Sequence, residues 1–173
     1  MKPHEEHRGA APASLRVRLV TVSSSRYEKK LAGEALTDEA GDVAEGEVKK
    51  AGHRVTGRAL ISDDAKMLRR EVRTFLRGDD DLLLLTGGTG VSSRDITIET
   101  VRPYFEKELP GFGELVRRAS YEEVGSAAML TRATAGVARG KIMVCMPGSP
   151  NGVKTALRGT MAEFPHALYI ARK

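Results

Sequence analysis

Short apolar runs divide the chain into segments that are typical of buried β-strands. The runs at 15–22, 82–85 and 141–146 are rich in apolar residues, and each is too short for an average helix. The segment at 53–60 is a further predicted strand, with Val55 and Leu60 facing inward. Between and after them, apolar residues recur at three- and four-residue steps, which predicts amphipathic helices. These helices are expected at about 31–51, 65–77, 97–108, 112–119, 152–161 and 167–171.

The order of the predicted elements is that of a mostly parallel sheet. Strands with continuous apolar character alternate with helices, as in α/β folds whose sheet is covered on both faces. Right-handed crossovers bring the carboxyl ends of such strands to one edge, and ligands bind outside that edge. We therefore expect the turns at 23–26, 60–64, 86–90 and 146–150 to face one crevice.

Length and composition indicate one globular domain. We expect this domain to span residues 15–173, after a polar tail at residues 1–14 that is disordered. No run reaches the roughly 18 apolar residues of a membrane span, and the tail lacks the apolar centre of a signal peptide. The single cysteine, Cys145, lies in an apolar run, which predicts an inert buried thiol in a cytoplasmic protein.

The formal net charge of +5 is spread without aromatic residues between the basic ones. Nucleic-acid binding is therefore weakly supported, and an anionic small molecule fits the charge equally well.

A glycine-rich loop directly follows the third strand. It consists of Thr86, Gly87, Gly88, Thr89 and Gly90. The loop lacks the Lys-Ser/Thr pair of a Walker phosphate loop, and it fits the dinucleotide-binding fingerprint poorly. By itself it is explained equally well as a structural turn.

Charged residues near this loop favour a ligand site. Arg94 and Asp95 follow it, and Asp63 lies at the end of the neighbouring strand. Carboxylates at adjacent strand ends can bind Mg²⁺ together with substrate phosphates. Asp63 is explained equally well as a helix N-cap, whereas capping explains Asp95 less well. Ser149, after the last strand, would either cap a helix or bind an anion at its N-terminus.

Six motifs occur in the order found in the MoaB/Mog proteins of molybdenum cofactor biosynthesis, a family that includes the G domain of gephyrin. The motifs lie at 86–90, 94–97, 109–112, 129–132, 136–141 and 147–150, and the segments at 22–26 and 51–53 resemble the MoaB branch. The resemblance covers residues 15 to 172. Each motif alone has low specificity, but their combination is highly specific.

The resemblance implies a three-layer α/β/α fold, the MogA-like molybdopterin-binding fold, assembled as a homotrimer or as a hexamer of two trimers. It implies adenylylation of molybdopterin by Mg-ATP, which gives adenylyl-molybdopterin and pyrophosphate. It also implies a downstream metal-insertion protein as a partner, and neither nucleic acid nor a membrane.

The resemblance also assigns roles to residues of this chain. The two aspartates important in the family correspond to Asp63 and Asp95, which would organise Mg²⁺ and ATP. Amides of the glycine loop would bind substrate, with hydroxyls from Thr131 and Ser149. The substrate- and nucleotide-binding residues implied are Thr86, Gly87, Gly88, Thr89, Gly90, Arg94, Thr131, Gly148 and Ser149.

The chain departs from the family pattern at three places. Thr131 replaces a serine and keeps a hydroxyl, and Ser62 replaces the proline before the first aspartate. The family's Asp-Thr-Ser-Gly is Asp38-Glu39-Ala40-Gly41 here, so two hydroxyls are lost. A non-catalytic member that binds molybdopterin or acts as a scaffold is therefore a second hypothesis. A third is a nucleotide-processing domain of the competence-damage type, against which Thr89 and the Arg94–Asp95 pair argue.

Overall fold

The sheet has six strands and one antiparallel member. A computed structural model describes residues 9–173. The strands are β1 Arg16–Val22, β2 Arg54–Ile61, β3 Leu82–Thr86, β4 Lys107–Glu108, β5 Thr134–Ala138 and β6 Lys141–Met146. They follow the order β2-β1-β3-β6-β5-β4 across the sheet. Strands β2, β1, β3 and β6 are parallel, and β5 is antiparallel to both of its neighbours.

Helices cover both faces of this sheet, as predicted for a three-layer α/β/α fold. The helices are α1 Ser24–Leu31, α2 Glu39–Lys50, α3 Ala65–Arg77, α4 Thr97–Val101, α5 Pro110–Val124, α6 Pro150–Leu157 and α7 Phe164–Ala171. Helices α2, α5, α6 and α7 pack on one face, and α3 and α4 pack on the other. Short 3₁₀ turns lie at Arg102–Tyr104, Gly125–Leu130 and Met161–Glu163. Within residues 9–173, no helix is long and apolar enough to cross a bilayer.

The central strands show why their sequences are continuously apolar. Leu82 and Leu84 of β3 belong to the core on one face, and Leu83 and Leu85 belong to the core on the other. All four are fully buried, as expected for a parallel strand that is covered twice. Cys145 of β6 is also fully buried, as predicted, and burial raises the pKa of its thiol.

The predicted helix at 31–51 begins later, at Glu39, and a separate helix that was not predicted, α1, precedes it. The hydroxyl of Ser23 caps α1, and the carboxylate of Asp38 caps α2 by accepting from Gly41 N at 3.1 Å. Between them the chain turns at Gly33, which has a φ of +69°. The two cap residues and the left-handed glycine therefore decide where these helices begin and end, rather than the partial apolar periodicity of the segment.

The predicted helix at 97–108 is wrong beyond Tyr104. Residues Lys107 and Glu108 form a strand that pairs with β5, and Phe105 lies over Gly136 of that strand. A Cβ on Gly136 would lie 2.2 Å from Phe105 Cγ, so only glycine admits this ring. Tertiary contact thus decides the conformation here.

Strand β5 was not predicted, because its sequence Thr-Ala-Gly-Val-Ala contains few large apolar residues. Arg139 and Gly140, with φ values of 52° and 67°, form a two-residue turn into β6. Since β5 is antiparallel, it starts at the edge where the parallel strands end, with Thr134 opposite Cys145. The segment before β5 is thereby brought to the predicted crevice.

The remaining differences are at element ends. Helix α5 extends the predicted 112–119 in both directions, and α6 ends at Leu157 rather than at 161. The expected disordered tail lies mostly outside the described residues, since these begin at Gly9. Ser14 Oγ donates to Gly52 O at 2.9 Å, which places the end of that segment against the domain.

Candidate functional site

A cavity of about 470 Å³ lies at the carboxyl edge of β1, β3 and β6. Three of the four turns that the topology predicted to face a crevice contribute to it, and the turn after β2 does not. Residues 130–132, which precede β5, close the other side of the cavity. The lining residues are Thr21, Val22, Ser23, Arg26, Thr86, Gly87, Gly88, Thr89, Gly90, Asp95, Leu130, Thr131, Arg132, Pro147, Gly148 and Ser149.

The glycine loop is fixed to its surroundings through the main chain. Gly87 N donates to Met146 O at 3.1 Å, and Thr86 Oγ1 donates to Pro147 O at 2.7 Å. At the start of α4, Thr97 N donates to Gly88 O at 2.9 Å and Thr97 Oγ1 donates to Gly87 O at 2.8 Å. The loop is therefore held between β6 and α4.

Two of its glycines are required by backbone geometry. Gly87 and Gly88 have φ values of +97° and +61°. A Cβ on Gly87 would lie 2.2 Å from Val22 O, and one on Gly88 would lie 2.4 Å from Thr97 Oγ1. Bare backbone thus faces the cavity, where a ligand can approach it closely.

The amides of the loop differ in their availability. Gly87 N is already bonded to Met146 O, so it is not a donor to substrate as the resemblance implied. Within residues 9–173, the amides of Gly88, Thr89 and Gly90 have no protein acceptor. The predicted set of amide donors is therefore reduced to these three.

Asp95 lies at the rim of the loop and lines the cavity. Its Oδ2 accepts from Ser92 N at 2.9 Å. A Cβ on Gly90 would lie 2.7 Å from the same oxygen, so the carboxylate lies directly beside the loop backbone. Asp95 is thus both a turn residue and the acidic group of the cavity.

Asp63 lies behind the loop rather than in the cavity. Its Oδ2 accepts from Ser24 N at 3.0 Å and from Ser24 Oγ at 2.7 Å, at the N-terminus of α1. A Cβ on Gly88 would lie 2.7 Å from Oδ1. The cap of the following helix, α3, is Asp64, which accepts from Met67 N at 2.8 Å. Asp63 therefore does not cap α3, and its predicted role as a metal ligand stays a prediction.

Two arginines of the cavity were missed from the sequence. Arg26 of α1 donates from Nε to Thr37 O at 3.2 Å. Arg132 donates from Nη1 to Gly90 O at 2.7 Å and pairs through Nη2 with Glu99. Burial is the largest single influence on Glu99 and acts to raise its pKa. The hydrogen bond from Arg132, a backbone hydrogen bond and the charge of Arg132 together outweigh burial and lower that pKa. Both arginines lie in turns that the sequence placed near the crevice or in a quoted motif, so a search for cations there would have found them.

Most of the other predicted site residues are brought together. Thr131, at the end of the 3₁₀ turn, lines the cavity with Gly148. Ser149 also lines it and caps α6 by accepting from Gly152 N at 3.0 Å. Arg94 is exposed and does not line the cavity, so its role stays a prediction.

The segment that departs from the family pattern supports the cavity wall from outside. Asp38 Oδ2 accepts from Thr21 Oγ1 at 2.8 Å and from Arg58 Nη2 at 3.0 Å, and Thr21 lines the cavity. Glu39 is exposed and Ala40 is buried in the core. None of residues 38–41 lines the cavity, so the lost hydroxyls do not face it.

The carboxylates of the site suit a cation that is held jointly with a ligand. Within the described residues there is no cluster of three or more His, Cys, Asp or Glu side chains that could hold a metal ion. Mg²⁺ commonly binds through one or two carboxylates together with substrate phosphates, and Asp95 is placed for that role. The site therefore fits Mg²⁺ only when phosphates are also bound.

Comparisons with known proteins agree with the fold and identify the family. Residues 18–166 match a family model described as a probable molybdopterin binding domain. The chain is 38% identical to molybdenum cofactor biosynthesis protein B of Bacillus subtilis, over 98% of this chain and 97% of that protein. It is 40% identical to a molybdopterin adenylyltransferase of Pyrococcus furiosus, over 98% of both chains.

A solved structure of the tungsten cofactor synthesizing protein MoaB from Pyrococcus furiosus superposes with a TM-score of 0.83 at 38% identity. The superposition covers 94% of this chain and 100% of the solved chain. Together with a cavity built from the segments that carry the motifs, these likenesses place the chain in the MoaB/Mog family of molybdenum cofactor biosynthesis proteins.

Proposed function

We propose that this protein is a molybdopterin adenylyltransferase that uses Mg-ATP. The observation that carries the proposal is the convergence of anion-binding groups in one cavity. Two arginines, the N-terminus of α6 and three loop residues whose amides have no acceptor within the described part of the chain all line the same space. Near-complete alignment with a molybdopterin adenylyltransferase at 40% identity supports the choice of substrate.

The proposed reaction joins two phosphates. The terminal phosphate oxygen of molybdopterin attacks the α-phosphorus of ATP, the bond from that phosphorus to the bridging oxygen breaks, and pyrophosphate leaves. Such transfers depend on positioning and on neutralisation of charge rather than on a protein nucleophile. A cavity lined by donors and cations, without a paired acid and base, suits this demand.

Each residue has a defined task in this proposal. The amides of Gly88, Thr89 and Gly90 bind phosphate oxygens, and Arg26 and Arg132 neutralise their charge. Thr131 and Ser149 donate hydroxyl hydrogen bonds to the substrates. These lining residues hold the two phosphates close together.

The two aspartates act on opposite sides of the loop. Asp95 holds Mg²⁺ together with the phosphates, and the metal supplies further neutralisation of charge when bound. Asp63 fixes the start of α1 and supports Gly88 from behind. Its predicted role as a second metal ligand requires Oδ1, because Oδ2 already accepts twice from Ser24.

We also propose a homotrimer, alone or paired into a hexamer. Several large apolar side chains of α5 and the following 3₁₀ turn are exposed in the single chain, which is typical of a surface covered by a partner. They are Leu115, Tyr121, Val124, Met129 and Leu130. Light scattering on the purified protein measures the mass directly, and a monomer at micromolar concentration would contradict the assignment.

Pyrophosphate release measured with molybdopterin, ATP and Mg²⁺ tests the activity. We expect release only when all three are present, and a chelator should abolish it. Binding of the pterin without any pyrophosphate would support the non-catalytic alternative. ATP turnover that does not depend on the pterin would instead indicate a nucleotide-processing domain.

The structure weakens the main argument for a non-catalytic member. That argument rested on the altered segment at 38–41, which supports Thr21 from behind and does not line the cavity. The loss of its hydroxyls therefore removes no group from the proposed substrate surface.

A further inference from the structure

Helix α3 presents a row of exposed cations that the proposed reaction does not use. The row, named here the basic stripe, comprises Lys66, Arg69, Arg70, Arg73 and Arg77, all exposed. At about 100° and 1.5 Å per residue, these positions fall within a sector of about 100° and span about 16 Å. The opposite side of the helix is anchored in the core by Leu68, Val72 and Phe75. The stripe is therefore a straight cationic ridge on a fixed helix.

Among the residues that the structure describes, carboxylates neutralise little of the charge of the stripe. Glu71, the one carboxylate of α3, is only 6% exposed and accepts from Arg18 Nη2 at 2.7 Å and from Arg18 Nε at 3.2 Å. The nearest ion pair of the stripe within residues 9–173 is Arg70 Nη2 to Glu71 Oε1 at 4.0 Å. Five cations and one carboxylate give the helix a charge of +4, against +5 for the whole chain. Most of the excess positive charge thus lies on one face.

Carboxylates limit the stripe at both ends. Asp64, exposed, caps the start of α3, and Asp79 follows the helix with a side chain that is 84% exposed. A long uniform polyanion such as nucleic acid would meet these carboxylates at either end. The stripe also lacks aromatic residues on which bases could stack. Its length and its ends favour a short, discrete acidic segment over nucleic acid.

A second copy of this chain is a poor occupant of the same surface. If two α3 helices packed antiparallel about a two-fold axis near their midpoint, Arg70 of each copy would face Arg73 of the other. Like charges held close together oppose such a contact. A symmetric contact between two stripes is therefore unfavourable, so the complementary surface is acidic rather than a second stripe.

We propose that the basic stripe is a docking surface for a short acidic segment, about three helical turns long, of a partner protein. The four arginines can each make paired hydrogen bonds to a carboxylate, which gives geometric selectivity as well as attraction. Helix α3 starts directly after the turn that ends β2, at the sheet edge where the cavity lies. A partner bound there lies beside the candidate active site without occupying it.

Fluorescence anisotropy with the full chain tests this proposal. The probe is a labelled helical peptide of about 16 residues whose glutamates repeat at three- and four-residue steps along one face. A peptide of the same composition in scrambled order is the reference. We expect the ordered peptide to bind about tenfold more tightly at low salt, and its affinity to fall as salt screens the charges.

Matched charge reversals locate the binding surface. Arg70→Glu/Arg73→Glu should weaken binding of the ordered peptide about tenfold, since it replaces two attractions with two repulsions. Lys49→Glu/Lys50→Glu on α2 makes the same change in net charge at exposed positions and should change affinity less than about twofold. Pyrophosphate release should be the same in both variants as in the wild type, which separates docking from catalysis.

Three outcomes would overturn the docking proposal. Equal affinity for the ordered and scrambled peptides would show non-specific attraction. Tighter binding of a single-stranded DNA of equal charge would assign the stripe to nucleic acid. Equal weakening by the two charge reversals would show that net charge, rather than this helix, determines binding.

Discussion

Two walls of the cavity are built in different ways. The glycine wall, Thr86–Gly90, is held by hydrogen bonds of its own backbone and of Thr86 to β6 and α4. The arginine wall, Leu130–Arg132, follows a 3₁₀ turn and reaches the glycine wall through one side chain, Arg132. That side chain is bonded both to Gly90 O and to Glu99.

Because of this difference, the glycine wall is rigid, whereas the arginine wall can change its conformation. A wall made from buried backbone admits no added side chain, and its contacts do not depend on pH. A wall that depends on a half-exposed ion pair contributes little to stability, because such pairs are solvated and screened. The arginine wall is therefore the part of the cavity that a bound ligand can adjust. Four variants test this contrast, from the largest expected effect to the smallest.

Gly88→Ala should break the glycine wall. The new methyl would lie 2.4 Å from Thr97 Oγ1 at a φ of +61°, so we expect a loss of about 2–4 kcal/mol in the free energy of unfolding and loss of activity. Gly46→Ala in α2 is the matched control, since nothing lies within 4 Å of its added Cβ. That control should stabilise the protein by about 0.5–1 kcal/mol. Denaturant melts measure both, and equal stabilities would contradict the strained loop.

Asp95→Asn should remove activity without removing stability. The amide oxygen can still accept from Ser92 N, whereas the charge that faces the cavity is lost. We expect pyrophosphate release to fall about 100-fold, or roughly 2.7 kcal/mol in the barrier. Asp64→Asn makes the same chemical change at an exposed helix cap and should leave turnover intact. Wild-type rates in Asp95→Asn would refute the metal assignment.

Arg132→Gln should loosen the arginine wall. We expect KM for the anionic substrates to rise about tenfold with a small change in kcat, because binding rather than chemistry loses a contact. Arg132→Lys should recover part of the affinity by restoring the charge. Arg102→Gln is the control, as Arg102 pairs with Glu108 at 2.7 Å outside the cavity. A loss confined to kcat would argue against this role.

The ion pair itself should give a small, pH-dependent stability. Arg132 lowers the pKa of Glu99 against the effect of burial, so the folded value is below the unfolded value of about 4.3. The contribution is therefore present at pH 7 and is lost as the pH falls through the folded pKa. Because the side chain of Glu99 is half exposed, the ion pair should contribute less than about 1 kcal/mol to the free energy of unfolding. The melting temperature of Glu99→Gln should be slightly lower than that of the wild type at pH 7. Near pH 3 the two melting temperatures should be the same.

Glu28→Gln, at an exposed position of α1, is the control for general charge effects on that profile. If its difference from wild type follows pH in the same way, the profile does not report the Glu99–Arg132 pair.

Local signals in the sequence were enough to find the glycine wall. A short apolar strand followed directly by glycines predicts a buried strand and a tight turn, and topology then places that turn at the ligand edge. The arginine wall was indicated only by the family motif at 129–132, because its local pattern predicts no strand or turn at the ligand edge. Its position depends on β5, whose small residues form a strand only because Phe105 packs over Gly136 and β6 offers an edge.

The two aspartates show the same limit. Both follow strands or loops at the correct edge, and the family resemblance implies the same role for both. The structure separates them, because Ser24 at the start of α1 binds one oxygen of Asp63 and directs that side chain behind the loop. A hydrogen bond between residues 39 positions apart has no counterpart in local spacing.

The sequence by itself determined the α/β architecture, the parallel centre of the sheet, the ligand edge and the family. Each of these follows from hydrophobic periodicity, chain order and motifs that are local in the chain. Tertiary structure alone decided that β5 runs antiparallel, that Arg132 closes the cavity and that Asp63 lies behind its wall. These features depend on contacts between distant segments, whose geometry exists only once the sheet has formed.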